Sequence, residues 1–91
     1  MKKTKELLKN WHFYKSCISN EDAKVAKMLD VVERCVENLD DVNRIIIMTR
    51  YFNKADMYFV AAKVFMTRQA VYKRIKKVCE KIDFILANTP F

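Results

Sequence analysis

The 91 residues contain no glycine, and proline occurs once, at Pro90. Without glycine there is no glycine-rich phosphate loop, because such loops need backbone that a Cβ would obstruct. Without an internal proline nothing breaks a helix before the penultimate residue, so an all-α fold with short polar turns is expected. Histidine occurs once, at His12, and serine only at Ser16 and Ser19. No nucleophile–base pair stands in a recognisable context, and no enzyme is expected. Cys17, Cys35 and Cys79 are odd in number and widely spaced. They form neither a disulfide framework nor a CxxC zinc pair, and the expected reading is buried free thiols in a reducing cytosol. His12 and Cys17 are two potential ligands, too few for a metal site, and no cofactor is expected. No apolar run is long enough to span a membrane, and none follows Lys2 and Lys3 as it would in a signal peptide. The expected location is cytoplasmic.

What is present is apolar and basic. Hydrophobic residues make up 52% of the chain, which favours a folded domain over a disordered one. The length suits one domain spanning 1–91, with N-terminal helices in 1–40 and a functional portion in 41–87. The net charge of +7 is unevenly placed. Residues 1–19 hold five lysines against one glutamate, residues 20–41 three cations against seven carboxylates, and residues 42–91 ten cations against three carboxylates. Basic ends suit a phosphate backbone, and the acidic middle would be repelled from one, so it is expected to face away from any DNA.

Periodicity predicts about five helices. The first covers roughly Lys3–Cys17, with Leu7, Leu8, Trp11 and Tyr14 along one side and Trp11 as a core anchor. Ser19 or Asn20 is placed to open the second, with Glu21 and Asp22 in its first turn. Val25, Leu29, Val32, Val36 and Leu39 then follow a heptad-like spacing that would serve either the domain's own core or a second chain. Asp40 or Asp41 can cap a third helix over Val42–Phe52, and Asn53 and Lys54 read as a turn. Phe84, Ile85, Leu86 and Phe91 form an apolar end that either folds back or meets a partner; together with the heptad-like stripe it makes either a homodimer or docking onto a larger regulator an expectation.

The densest information lies in 55–82, ADMYFVAAKVFMTRQAVYKRIKKVCEKI. Val60, Ala61 and Val64 mark one helix, and small Ala61 would let a neighbouring helix approach closely. Thr67 is placed to cap the next helix, which has Val71, Ile75, Val78 and Ile82 as a single stripe. Arg68, Gln69, Tyr72, Lys73, Lys76 and Lys77 fall on another face of it. Most basic amphipathic helices present their charges only to water. Here the face also carries an amide and a phenol, follows a cap and a scaffold helix, and has a large local charge excess. Those features favour a C-terminal helix-turn-helix that contacts nucleic acid.

Two stretches carry a family resemblance: IIIMTRYF, Ile45 to Phe52, and VAAKVFMTRQAVYKRIKK, Val60 to Lys77. The segment from about Cys35 to Ile82 resembles region 4 of bacterial sigma factors. It is more similar still to the small ArpU- and RinA-type regulators of phages and mobile elements of Gram-positive bacteria. Such proteins show an Ile/Leu-rich helix ending in Arg-Tyr, a helix with an inner Ala, a Ser/Thr cap, and a recognition helix rich in Arg, Lys and Gln. Those features fall here on Arg50, Tyr51, Ala61, Thr67, Arg68, Gln69, Tyr72 and Lys73. The resemblance implies a transcription regulator that binds double-stranded DNA, with Arg68, Gln69, Tyr72 and Lys73 at base edges and Arg50, Lys54, Lys63, Lys76 and Lys77 at phosphates. The alternative it leaves open is an interaction protein that binds RNA polymerase or another regulator without reading DNA. Two positions depart from the pattern. Phe65 stands where the turn usually has Gly, so it would be either strained or rebuilt into the core. Arg74 stands where an apolar residue is usual.

Overall fold

Three polar side chains set the helix starts in the C-terminal half, each from an extended backbone conformation that leaves its oxygen free to accept. Asp40 opens α4 (Asp41–Ile47), its carboxylate accepting from Asn43 N at 3.4 Å. Asp56 opens α5 (Met57–Val64), accepting from Phe59 N at 2.9 Å. Thr67 opens α6 (Arg68–Ala87), its Oγ1 accepting from Ala70 N at 3.1 Å. The computed structural model describes residues 3–17 and 23–90. Over these it also contains α1 (Lys3–Lys9), α2 (Trp11–Cys17) and α3 (Ala23–Glu37), and no strand. The fold is all-α. The expected capping of the second helix by residues 19–22 and the role of Phe91 lie outside the described residues.

The helix count differs from expectation at two places. The single helix expected over 3–17 is interrupted at Asn10, whose Nδ2 donates to the Glu6 carbonyl at 3.1 Å, as does its own backbone N–H. An asparagine side chain that competes for helical carbonyls favours such a break. The expected third helix runs as α4 and then widens into a π-helical turn, Met48–Phe52, closed by Asn53 N donating to Met48 O at 2.9 Å. That turn buries Thr49 and Tyr51 and stacks Phe52 on Trp11, with ring centroids 4.9 Å apart. The Nε2–H of His12 donates to the Phe52 carbonyl at 2.6 Å, fastening α2 to the same turn.

One continuous core joins α1 through α6. Leu7, Leu8, Trp11, Ile46, Ile47 and Tyr51 belong to it together with the α6 stripe Val71, Ile75, Val78 and Ile82. The heptad-like stripe of α3 is consumed here: Leu29, Val32 and Val36 are buried, and Val25 and Leu39 are partly buried against the same core. It does not stand free for a second chain. The apolar C-terminal end divides, with Leu86 buried, Ile85 half-buried and Phe84 exposed. Among the described residues no helix is long and apolar enough to cross a membrane.

Candidate nucleic-acid interface

The α5–α6 pair is joined by three residues, Phe65 to Thr67. Met66 N donates to Ala61 O at 3.0 Å and Phe65 N to Ala62 O at 3.3 Å, the bond pattern that closes a helix through a left-handed residue. That residue is Phe65, at φ 56° and ψ 44°. Glycine takes this conformation freely, whereas a residue with a Cβ loses about 1–2 kcal/mol there. The side chain of Phe65 is 95% exposed, so it is strained and not rebuilt into the core; Met66, one residue on, packs against the core instead. Lys54 is the second non-glycine residue at positive φ, in the connection before α5.

Beyond the turn, α6 presents two unlike sides. Val71 and Ile75 are buried, whereas Arg68, Gln69, Tyr72, Lys73, Lys76 and Lys77 are all exposed. Ala61 is buried among the residues of the α5–α6 contact, as its size suggested. The residue that broke the expected pattern, Arg74, is half-buried, and its Nη1 donates to Asn43 Oδ1 at 3.2 Å. It ties α6 to α4, and Ile75 takes the apolar position. Arg68 has a platform that the sequence did not point to: its guanidinium lies over the Tyr58 ring at 4.1 Å from the centroid, a cation–π contact that holds the side chain at the start of α6.

The residues expected at phosphates divide between two surfaces. Lys54 and Lys63 line a shallow depression with Asn53, Asp56 and Phe59, and Lys63 Nζ lies 6.0 Å from the Phe59 ring centroid. Arg50 and Lys76 instead share a cleft with Tyr72, between α1, the π-helical turn and α6. Arg50 is not simply a surface cation: it is half-buried, and its Nη1 donates to the Ala55 carbonyl at 2.9 Å. One of its five donors thus holds the loop before α5 in place. Lys77 is exposed and does not line that cleft.

Burial pushes the Cys79 thiol up to about 11, reinforced by the charge of Asp83, so it is protonated and a poor nucleophile near neutrality. Burial likewise pushes Tyr51 up to about 12. No group of three or more His, Cys, Asp or Glu side chains is placed to hold a metal ion among the described residues.

Compared with known proteins, the chain matches no protein-family model, no curated protein and no solved structure. The resemblance to sigma region 4 therefore rests on the residues quoted for it.

Proposed function

We propose that the chain is a DNA-binding transcription regulator of phage or mobile-element type, with α5 and α6 as its helix-turn-helix and α6 as the helix that enters the major groove. The observation that carries this reading is the first half of α6. Six polar side chains, Arg68, Gln69, Tyr72, Lys73, Lys76 and Lys77, are exposed there, and residues 68–77 contain no carboxylate. A helix held by one buried stripe, with cations and hydrogen-bonding groups outward, has the chemistry that base edges and phosphates require. Arg68 and Gln69 lie in the first turn, where helix-turn-helix proteins bring side chains to bases. Arginine pairs in two places with guanine and glutamine with adenine. Lys76 and Lys77 lie two turns along and suit phosphates, with Lys54 and Lys63 as further candidates. The strained, exposed turn residue and the cation–π platform under Arg68 fit a working surface.

The test begins with a preferred duplex, selected from a random oligonucleotide pool. Arg68→Ala and Gln69→Ala are each expected to cost about 1–3 kcal/mol on that duplex and much less on a scrambled one. Lys76→Ala and Lys77→Ala should weaken both duplexes alike. Four variants that bind as the parent does would remove α6 as the reading helix.

A second reading, contact with RNA polymerase or another regulator, is favoured by Phe59, Phe65 and Phe84, which are all exposed. Aromatic side chains are frequent anchors of protein interfaces. This reading predicts that Phe65→Ala and Phe84→Ala abolish regulation in cells while leaving duplex binding intact.

A further inference from the structure

The cleft between α1, the π-helical turn and α6 contains more positive charge than the helix-turn-helix alone supplies. It is open, has a volume of about 550 Å³, and brings Lys5 and Lys9 of α1 beside Arg50, Tyr72 and Lys76. Lys5 and Lys9 are four residues apart, hence neighbours on one helix face, and both are exposed. Neither is in an ion pair among the described residues, where the salt bridges involve only Lys15, Arg34 and Arg44. Two carboxylates share the cleft, Glu80 and Asp83. Asp83 is committed, since its Oδ1 accepts from Thr4 N at 2.7 Å. Four cations thus face two carboxylates, one of which is occupied in fastening α1.

The attachment of α1 is also firm. Leu7 and Leu8 are buried beneath it, Thr4 is bonded to α6 at its start, and just past its end Trp11 and His12 of α2 hold Phe52. The lysines are therefore borne on a helix fixed against α6. Tyr72 and Lys76 belong both to this cleft and to the polar face of α6, so the two surfaces are continuous.

We propose that α1 is part of the DNA interface: Lys5 and Lys9, with Lys76 and the remaining donors of Arg50, grip the phosphate backbone beside the groove that α6 reads. The assignment rests on the DNA-binding reading and gives the N-terminal helix a role in it. Phosphate contacts fix register and add affinity without reading sequence, so α1 strengthens binding to any duplex and leaves base discrimination unchanged.

The test uses the full chain and charge removal that keeps the side-chain stems. Lys5→Gln with Lys9→Gln is compared with Lys24→Gln and Lys27→Gln on α3, an exposed pair whose loss changes net charge equally. Affinity is measured on the preferred and a scrambled duplex across a range of salt, with circular dichroism as the control for folding. The α1 pair is expected to flatten the log–log salt dependence by roughly two units and to weaken both duplexes by the same factor. The α3 pair should leave the slope within about half a unit of the parent, and Lys5→Arg with Lys9→Arg should restore it. Equal effects of the two pairs, while Arg68→Ala still loses the preferred site, would overturn the role of α1 and leave the DNA reading standing. A parent chain that binds no duplex at low salt would overturn both.

Discussion

Residues 68–77 and 78–87 are the two halves of α6, and the apolar stripe runs through both. The first half carries five cations, Arg68, Lys73, Arg74, Lys76 and Lys77, and no carboxylate; the second carries Lys81 against Glu80 and Asp83. The second half is also the better covered. Val78, Ile82 and Ile85 border a depression with Val31, Cys35 and Leu39 of the α3 side, and Asp83 bonds to α1. α3, which carries three cations against three carboxylates, thus lies beside the second half of α6. An equally good buried stripe says nothing about use. On the DNA-binding reading, the two halves are separated by what faces outward and by which neighbours leave it uncovered.

If the second half is chiefly structural and the first chiefly a contact surface, substitutions should separate stability from binding along one helix. The largest stability effect is expected in the second half. Ile82 is fully buried, and Ile82→Ala should cost about 2–5 kcal/mol from lost transfer energy and the cavity left behind, measured by urea unfolding. A loss under about 1 kcal/mol would mean that the second half is not the anchor. In the first half, Tyr72→Ala is expected to leave stability within about 1 kcal/mol, since Tyr72 is more than half exposed, while weakening duplex binding about tenfold or more. A variant that unfolds but binds normally when folded would reverse the assignment.

Two smaller effects concern how the first half is held. Thr67→Ala removes the oxygen that accepts from Ala70 N and should cost about 1 kcal/mol. Phe65→Gly runs the other way. It relieves a left-handed residue with a Cβ and sacrifices no packing, because the ring is almost wholly exposed. Relief of about 1–2 kcal/mol, offset by roughly 0.5–1 for the added freedom of glycine in the unfolded chain, predicts a modest gain in melting temperature. A lower melting temperature would show that Phe65 holds the turn together.

Local features were legible in the sequence, and long-range ones were not. The stripe Val71, Ile75, Val78 and Ile82, the cap Thr67 and a cap at Asp40 or Asp41 follow from spacing and hydroxyl or carboxylate chemistry within a turn or two. The conflict at Phe65 was also visible, through the resemblance, which implies Gly at that position of the turn. Its outcome was not, since exposure depends on whether Met66 already fills the space against the core. The break at Asn10 and the widened turn at 48–52 depend on side-chain competition and on Trp11 meeting Phe52. The cleft needs Lys5 and Lys76 brought together from opposite ends of the chain. Spacing offered one clue, the i,i+4 pairing of Lys5 and Lys9, but gave no partner for it.

The central claim is that the outward face of the first half of α6 binds duplex DNA through phosphates as well as bases. The most direct measurement is fluorescence anisotropy of a labelled duplex titrated with the full chain over a range of salt. Neutralisation of roughly 4–6 phosphates predicts a log–log slope of about −4 to −5. Absence of binding at low salt, to operon-upstream and random duplex alike, would contradict the account and turn attention to a protein partner.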